Sequence, residues 1–215
     1  MEHHQVQVFS DFDGTITTRD TIVFLTEQHG RGPEFRDEML QGIKTGKLTV
    51  FEVIRRELET VTLSWQEAQK SLIRHIEIDP SFPSFVDWTR SAGLPLSVVS
   101  SGLEPTVRLF VGNFGLKIYA HPVEFAQDGW RYRIRESSLK TVVLKRAKKE
   151  GRVIYIGDGT SDVDAIPFAD VLFAKSYLEE YCLRNSVPYE PFQTFSDVQA
   201  RLDECLEEWK ETRSG

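Results

Sequence analysis

Short apolar runs, each ended by Gly, Asp or Ser, recur along the chain and predict buried strands. They lie at residues 6–9, 96–100, 153–157 and 171–174. Between them the apolar positions repeat with a helical period, as at residues 104–113 and 140–150. This alternation predicts an α/β fold with a parallel sheet and helices on both faces. In such sheets, ligands bind beyond the carboxyl ends of the strands.

One long stretch, residues 17–83, interrupts the alternation because it contains helical patterns and no convincing buried strand. Within it, Ser64 and Glu67 have the spacing of a capping box. We therefore predict two units: an α/β core formed by residues 1–16 and 84–215, and a helical domain formed by residues 17–83. The predicted helices of the inserted domain are residues 21–28, 34–43, 50–59 and 64–76.

Turn signals mark two further features. Pro80 and Pro83 indicate the exit from the helical insertion. Asp128-Gly129 lies between alternating apolar residues within the segment 123–135, which predicts a β-hairpin.

Composition narrows the protein class. The chain has 215 residues, 40% hydrophobic and 27% charged, as expected for a soluble globular protein. Its formal charge of −7 argues against general binding of nucleic acid or anionic membranes. No apolar run is long enough for a membrane span, and the N-terminus lacks the apolar segment of a signal peptide. With only Cys182 and Cys205, no disulfide framework is expected, so we predict a reducing, cytoplasmic location. The predicted oligomeric state is a monomer or a homodimer.

The clearest chemical signal is Asp11-Phe12-Asp13-Gly14-Thr15, which directly follows the first predicted strand. A carboxylate at a strand end can attack phosphorus and form an acyl phosphate. A second carboxyl group then serves as the acid for the leaving group and as the base for water. The ordinary alternative is that Asp and Gly simply form a turn.

Two weaker signals suggest groups that hold phosphate. Ser100-Ser101-Gly102 ends the second predicted strand, where a hydroxyl group and backbone N–H groups can bind a phosphate oxygen. A Ser-Gly turn is common, so a purely structural role is the alternative. Lys140 begins a helical segment and offers an ammonium group for the transferring phosphoryl group, although it competes with Lys145, Lys148 and Lys149 and lysines are usually solvated.

A second acidic motif, Gly157 to Asp162, follows the third strand and carries Asp158 and Asp162. Together with Asp11 and Asp13, these carboxylates are expected at one edge of the sheet, where they repel one another unless a cation joins them. Mg²⁺ is the hard, oxygen-binding cation that suits a site for phosphate. The sequence thus predicts a magnesium-dependent phosphatase acting on a small phosphorylated metabolite.

The ordered motifs Asp-x-Asp-Gly-Thr, strand-Ser, Lys and Gly-Asp-Gly-x-x-Asp resemble those of the haloacid dehalogenase superfamily of phosphohydrolases. They span Asp11 to Asp162. True dehalogenases lack the second aspartate, so Asp13 favours phosphoryl transfer. The resemblance implies a Rossmann-like, doubly wound parallel sheet with a small inserted helical cap of the C1 type.

The resemblance also implies a role for each matched residue. Asp11 is the nucleophile and a metal ligand, and Asp13 is the general acid/base whose backbone carbonyl group binds the metal. Lys140 bridges Asp11 and the phosphate. Asp158 is a metal ligand, and Asp162 is either a ligand or a hydrogen-bond acceptor behind the ligands. The remaining implied contacts are Thr15 for loop geometry and Ser100, Ser101 and Gly102 for the phosphoryl oxygens.

Two groups within the superfamily are similar to this chain. Phosphoserine phosphatases carry a substrate-binding glutamate nine residues after the nucleophile; this chain has Asp20 there, and the resemblance implies that Asp20 binds substrate. The 2-hydroxy-3-keto-5-methylthiopentenyl-1-phosphate phosphatases of methionine salvage share Asp-Phe-Asp-Gly-Thr-Ile-Thr and the segment around Phe173. The preferred substrate hypothesis is therefore the methylthiopentenyl phosphate. Phosphoserine is the alternative, and a phosphotransferase or phosphomutase using Asp11 is the second alternative.

In the inserted domain, Arg55 and Arg56 lie together on a predicted helix. A solvated helix face is the ordinary interpretation of this pair. The functional alternative is that they contact a substrate carboxylate or a second phosphate group.

Overall fold

A six-stranded, all-parallel sheet forms the centre of the computed structural model, which describes residues 5–132 and 138–214. The strand order is β3-β2-β1-β6-β7-β8, and β4 pairs with β5 in a separate antiparallel hairpin. The strands are β1 Gln5–Ser10, β2 Leu96–Leu103, β3 Lys117–His121, β4 Val123–Glu124, β5 Arg131–Tyr132, β6 Gly151–Gly157, β7 Val171–Ala174 and β8 Glu190–Pro191.

Helices account for most of the remaining described chain. The α-helices are α1 Thr21–His29, α2 Pro33–Lys44, α3 Val50–Leu58, α4 Trp65–His75, α5 Phe82–Ser91, α6 Glu104–Val111, α7 Leu139–Glu150, α8 Ser176–Asn185 and α9 Phe195–Ser214. Two short 3-10 helices occupy Gly112–Phe114 and Thr160–Phe168.

Successive strand residues point to opposite sides of the sheet, and helices cover both sides, so both faces are buried. Val8 and Ile154 pack on one face against α5, α6 and α9. Phe9 and Val153 pack on the other face against α7 and α8. This arrangement confirms the predicted doubly wound α/β fold and explains why the strands are continuous apolar runs.

The position of β1 in the sheet determines where a ligand can bind. From β1 the chain passes to β2 on one side, and β6 lies on the other side. Loops after two such neighbouring strands leave in opposite directions and open a crevice at their carboxyl ends. Asp11 follows β1 and Asp158 follows β6, so both lie at this crevice.

Helices α1 to α4 lie between β1 and α5 in the sequence, where the helical insertion was predicted. The chain leaves and re-enters the sheet unit through adjacent segments, because Thr17 and Ile78 form an antiparallel bridge. The predicted capping box at Ser64 and Glu67 is present at the start of α4. The exact domain boundaries remain a prediction; Phe82, at the start of α5, already packs in the cluster under the sheet.

The predicted hairpin is present over its described part. Val123 pairs with Tyr132 and Glu124 with Arg131, while residues 133–135 of the prediction lie outside the described residues. Trp130 is fully buried and donates its indole N–H to the carbonyl oxygen of Leu63 at 2.8 Å. The hairpin therefore packs against the inserted helices α1 to α4, hereafter the helical unit.

Two further findings concern the length of the helices and the state of the cysteines. Across the described residues, each helix is too short or too polar to cross a bilayer. Cys182 and Cys205 are both buried and are not joined in a disulfide.

Candidate active site

The loops after β1 and β6 meet directly. The N–H group of Asp11 donates to the carbonyl oxygen of Ile156 at 2.9 Å, which continues the β1–β6 pairing into the loop. The Thr15 hydroxyl group donates to Oδ1 of Asp158 at 2.6 Å. Residues that are 143 positions apart in sequence are thus fixed in one site.

Gly14 permits this close approach. Its φ of +76° lies in the left-handed region that favours glycine. A Cβ atom placed there would lie 2.4 Å from Oδ2 of Asp158, well inside van der Waals contact. Any other residue at position 14 would therefore force the Asp158 carboxylate away.

Three carboxylates converge at the crevice. Asp11, Asp158 and Asp162 each place an oxygen atom within 4.8 Å of the others. Burial, followed by the charge of Asp162, raises the pKa of Asp11 well above its usual value, although Lys140 acts in the opposite direction. Burial and then Asp162 also raise the pKa of Asp158 to about 7. Three carboxylates in one buried cluster repel one another, and a bound metal ion would relieve this repulsion.

Lys140 is the lysine that reaches this cluster. Its side chain is fully buried, and Nζ lies 3.0 Å from Oδ2 of Asp11 and 2.5 Å from Oδ1 of Asp162. Burial alone would lower the pKa of Lys140, but Asp11 and then Asp162 raise it above its ordinary value, so the side chain is charged. The three competing lysines, Lys145, Lys148 and Lys149, are exposed on the same helix.

Asp162 is held by several donors at once. Its Oδ1 accepts hydrogen bonds from Lys140 Nζ and from the Tyr155 hydroxyl group, both at 2.5 Å. Its Oδ2 accepts from the N–H groups of Asp158 at 2.9 Å and Gly159 at 2.7 Å. Asp162 therefore fixes both the lysine and the loop that carries Asp158.

Asp13 lies in the loop between β1 and α1. Its Oδ1 accepts from the N–H group of Thr21 at 2.8 Å and from the Thr21 hydroxyl group at 2.6 Å. Its Oδ2 lies beside Gly102, because a Cβ atom on that glycine would be 2.4 Å from it. Burial, then the charge of Asp20, raises the pKa of Asp13 to about 7. At neutral pH this carboxyl group is present in both protonation states.

The segment that ends β2 borders the same cavity. Ser100 and Ser101 are buried, and Ser100 Oγ accepts a hydrogen bond from the N–H group of Gly102 at 2.9 Å. That bond leaves the Ser100 hydroxyl proton available for a ligand, whereas the Gly102 N–H group is engaged within the protein. The structure therefore places all three predicted residues at the site, with Gly102 turned toward Ser100.

A cavity of about 760 Å³ extends from this cluster into the helical unit. Asp20 lines it and caps α1, its Oδ1 accepting from the N–H groups of Ile22 at 2.8 Å and Val23 at 2.9 Å. Burial is the main cause of a raised pKa at Asp20. The cavity is also lined by Arg36 and Glu57, whereas Arg55 and Arg56 are exposed.

Several residues at the site had not been singled out from the sequence. Thr21 orients Asp13, and Tyr155 and Ser161 contact the Lys140–Asp162 pair. Glu57, in the cavity wall, was not singled out either. Its sequence signal is a charged residue in line with the apolar positions of α3.

Comparison with known proteins identifies a family. The family model described as haloacid dehalogenase-like hydrolase matches residues 8–166, which include every motif residue from Asp11 to Asp162.

Three curated relatives align over almost the whole chain. Pdp3-interacting factor 1 of Schizosaccharomyces pombe is 32% identical, over 94% of this chain and 96% of its own. Polyol phosphate phosphatase PYP1 of Saccharomyces cerevisiae is 29% identical, over 93% of each chain. A 2-hydroxy-3-keto-5-methylthiopentenyl-1-phosphate phosphatase of Bacillus mycoides is 28% identical, over 94% and 98%.

Among solved structures, a phospho-aspartyl intermediate analogue of phosphoserine phosphatase superposes with a TM-score of 0.74 at 17% identity. The superposition covers 94% of this chain and 98% of that chain. At this identity, the likeness supports the fold.

Proposed function

Because the chain belongs to the haloacid dehalogenase-like hydrolase family and is a phosphoric monoester hydrolase, we propose that it is Mg²⁺-dependent and uses Asp11 as its nucleophile. In this proposal, α1 to α4 form a cap over the site. The substrate is a small phosphate monoester, and an aspartyl phosphate forms on Asp11.

The observation that carries this proposal is the position of Asp11 between a fixed ammonium group and a second carboxylate. Lys140 Nζ lies 3.0 Å from Oδ2 of Asp11, which holds the carboxylate in one orientation. A buried positive charge at this point also offsets the negative charge of an approaching phosphoryl group. A purely structural ion pair would not need the further carboxylate of Asp158 beside it.

The residues present fit a magnesium ion. Oδ1 of Asp11 is buried and has no hydrogen-bond partner within the described part of the chain, which is costly for a carboxylate oxygen unless a ligand occupies it. Oxygen donors of this kind are those that Mg²⁺ prefers. We propose Asp11, Asp158 and the backbone carbonyl group of Asp13 as its ligands, with Asp162 acting through its hydrogen bonds. When bound, the ion would neutralise phosphate charge and orient the phosphoryl group.

The reaction then proceeds in two displacement steps. The Asp11 carboxylate forms a bond to phosphorus while the bond between phosphorus and the leaving oxygen breaks. Protonated Asp13 donates its proton to that oxygen, and the resulting carboxylate accepts a proton from the water that cleaves the aspartyl phosphate. The pKa of about 7 at Asp13 suits both tasks at neutral pH. In this proposal the Ser100 hydroxyl group binds a phosphoryl oxygen, and the ammonium group of Lys140, held by Asp11 and Asp162, offsets the phosphoryl charge.

Two substrate classes are supported by the relatives' names: the methylthiopentenyl phosphate of methionine salvage and the phosphates of polyols. Phosphoserine remains the alternative, but Asp20 replaces the glutamate expected for it. The shared feature of the two favoured classes is a leaving group without a carboxylate or an amine.

The direct test is a phosphate-release screen with and without Mg²⁺. Its panel contains polyol phosphates, the methylthiopentenyl phosphate, phosphoserine and sugar phosphates. We expect Mg²⁺-dependent release, and we expect Asp11→Asn to lose at least about 10³-fold in kcat. Asp37→Asn, an exposed aspartate on α2, is the matched control and should retain activity. Near-normal turnover by a folded Asp11→Asn protein would refute the nucleophile assignment.

The phosphotransferase alternative is distinguished from hydrolysis by the molecule that accepts the phosphoryl group. A hydrolase releases inorganic phosphate with water alone, whereas a transferase or mutase needs a second hydroxyl compound. Release that begins only when an alcohol acceptor is added, with the phosphoryl group found on that acceptor, would favour the alternative.

A further inference from the structure

The cavity is deeper than a phosphoryl group requires. Beyond Asp13 it continues between α1, α2 and α3, and at about 760 Å³ it accommodates a complete small metabolite. Apolar side chains, among them Ile22, Val53 and Ile54, form much of this inner wall. Ionisable side chains also line the cavity: Asp20, Arg36, Lys44 and Glu57 on the helical unit, and Glu180 and Arg184 on α8.

Glu57 is the unusual member of this group. Its exposed fraction is only 3%, and it follows Val53 and Ile54 by four and three positions, so it shares their face of α3. Among the described residues, the hydrogen bonds outside the helix that involve Glu57 go to its backbone carbonyl oxygen, as from the Thr60 hydroxyl group at 2.6 Å, and leave the carboxyl group free for other partners. Its carboxyl oxygens are not among the fully buried atoms that lack a partner, so they face the cavity, where a ligand can form hydrogen bonds with them.

The charges around Glu57 limit which chemical groups can bind there. Asp20 and Arg36 face the same cavity and carry opposite charges. Burial and Asp20 raise the pKa of Glu57 to about 8, so at neutral pH it is mostly protonated and can donate one hydrogen bond and accept another. A carboxylate could pair with Arg36 and an ammonium group with Asp20, but a protonated Glu57 offers no charge to either of them. A hydroxyl group, which also donates and accepts, matches the site.

We propose that the carboxyl group of Glu57 binds a hydroxyl group of the substrate's leaving group and selects esters of neutral, hydroxylated alcohols. The apolar wall covers the carbon skeleton, and Glu57 recognises a polar group at the end away from phosphorus. This assignment rests on the proposed phosphatase function, because it concerns the substrate of the same site.

The test compares two phosphate esters in steady-state phosphate release. Sorbitol 6-phosphate has a polyhydroxylated leaving group, and p-nitrophenyl phosphate has a leaving group without a hydroxyl substituent. We expect Glu57→Leu to lower kcat/KM for sorbitol 6-phosphate by at least about 10-fold, mainly through KM, and to change p-nitrophenyl phosphate by less than about twofold. Glu57→Gln keeps a donor and an acceptor and should stay within about threefold on both esters.

Glu59→Leu provides the matched control, since Glu59 is exposed just after the same helix. It should leave both esters unchanged. An equal loss on both esters for Glu57→Leu, or no loss on sorbitol 6-phosphate, would overturn the inference. If Glu57→Leu does not fold, a wild-type preference for phosphoserine over sorbitol 6-phosphate, or a 10-fold loss on both esters for Glu57→Gln, would also overturn it. Failure of the phosphatase function itself is distinguishable, because wild type would then release no phosphate from p-nitrophenyl phosphate.

Discussion

The carboxylate of Asp162 accepts hydrogen bonds from two side chains, Lys140 and Tyr155, and from the backbone N–H groups of Asp158 and Gly159. These donors occupy the directions that a metal ion would otherwise use. At the scale of single residues, Asp162 therefore connects the lysine at Asp11 to the loop of Asp158. Its removal would disturb both, so a milder change is more informative.

Tyr155→Phe is that change, because it removes one hydroxyl group from the fully buried network and keeps the ring. A hydrogen bond to a charged acceptor contributes about 1.5–3 kcal/mol. Without it, Asp162 and Lys140 gain freedom, and we expect kcat to fall about 5- to 20-fold while KM changes less than about twofold. Steady-state kinetics on p-nitrophenyl phosphate measures both values.

Tyr189→Phe is the control for this variant. Its hydroxyl group donates to Glu179 at 3.3 Å, outside the candidate site. Both variants should unfold cooperatively in a thermal melt. Unchanged kcat in Tyr155→Phe, or an equal fall in Tyr189→Phe, would show that the Tyr155 hydroxyl group does not position the site.

The sequence was informative about residues at strand ends and uninformative about residues that act through distant contacts. Asp11 and Asp158 were selectable because parallel strands bring their carboxyl ends together, and the structure places them there. Lys140 lies at the start of a helix and was selected over the competing lysines only by the order of the family motifs, and its ammonium group lies at Asp11. Tyr155 reads as an ordinary buried strand residue until its contact with Asp162 is known. Arg36 reads as a solvated helix residue, since nothing in the local pattern indicates that α2 faces the cavity.

At the scale of elements, the spacing of apolar residues predicted most of the strands and helices that pack in the core. Strands β1, β2, β6 and β7 and helices α1 to α4 were expected within a few residues of their observed bounds. The edge strand β3 was not expected, because its residues are mostly half-exposed and form no apolar run. Helix α5 was hidden because Pro83 was interpreted as a boundary, although proline is well accommodated in the first turn of a helix.

The contact between the β4–β5 hairpin and the helical unit is also beyond sequence patterns. The backbone N–H group of Trp130 donates to the carbonyl oxygen of Leu58 at 3.1 Å. Trp65 stacks on Phe125, with ring centroids 4.9 Å apart. Both contacts join the end of the helical unit to a hairpin that follows β3. They hold the helical unit against the hairpin, in addition to its connection to the core at Thr17 and Ile78.

Gly129→Ala tests this contact. Gly129 has a φ of +120°, and a Cβ atom there would lie 2.3 Å from the carbonyl oxygen of Glu59. We expect a loss of about 2–4 kcal/mol in the free energy of unfolding, because backbone strain and a steric overlap act together. Chemical denaturation with urea measures the loss.

Gly93→Ala separates the two causes. Gly93 also has a positive φ, +67°, but a Cβ atom there would have no neighbour within 4 Å. It should lose only about 1 kcal/mol, from backbone strain alone. Equal losses for the two variants would mean that the hairpin does not press closely against the helical unit.

At the scale of the whole molecule, the candidate site destabilises the fold when no cation is bound. The chain already carries a net charge of −7, and several of its carboxyl groups are collected at one crevice. Burial is the first cause that raises the pKa values of Asp13 and Asp158, each to about 7. In the unfolded chain these groups titrate near 3.8. Folding therefore depends on pH and on any cation that the site binds.

The sign of this dependence follows from proton binding. Between about pH 4 and pH 7 the folded chain holds protons on Asp13 and Asp158 that the unfolded chain has released, so their contribution to stability falls as pH rises. In EDTA, Asp158→Asn removes one of these groups. We expect the Tm of this variant relative to wild type to rise by roughly 4–10 °C between pH 5 and pH 7.5, and differential scanning fluorimetry measures it.

Mg²⁺ should counteract the loss of wild-type stability at higher pH. An ion that binds only the folded chain stabilises it by RT ln(1 + [Mg²⁺]/Kd), and protons compete for the same carboxylates at pH 5. We therefore expect 10 mM Mg²⁺ to raise the wild-type Tm more at pH 7.5 than at pH 5, and to raise that of Asp158→Asn much less. Asp37→Asn should follow wild type throughout, since its carboxylate is exposed. An equal Mg²⁺ shift in wild type and Asp158→Asn would remove Asp158 from the proposed ligands, because a carboxylate that binds the ion cannot be dispensable for its stabilising effect.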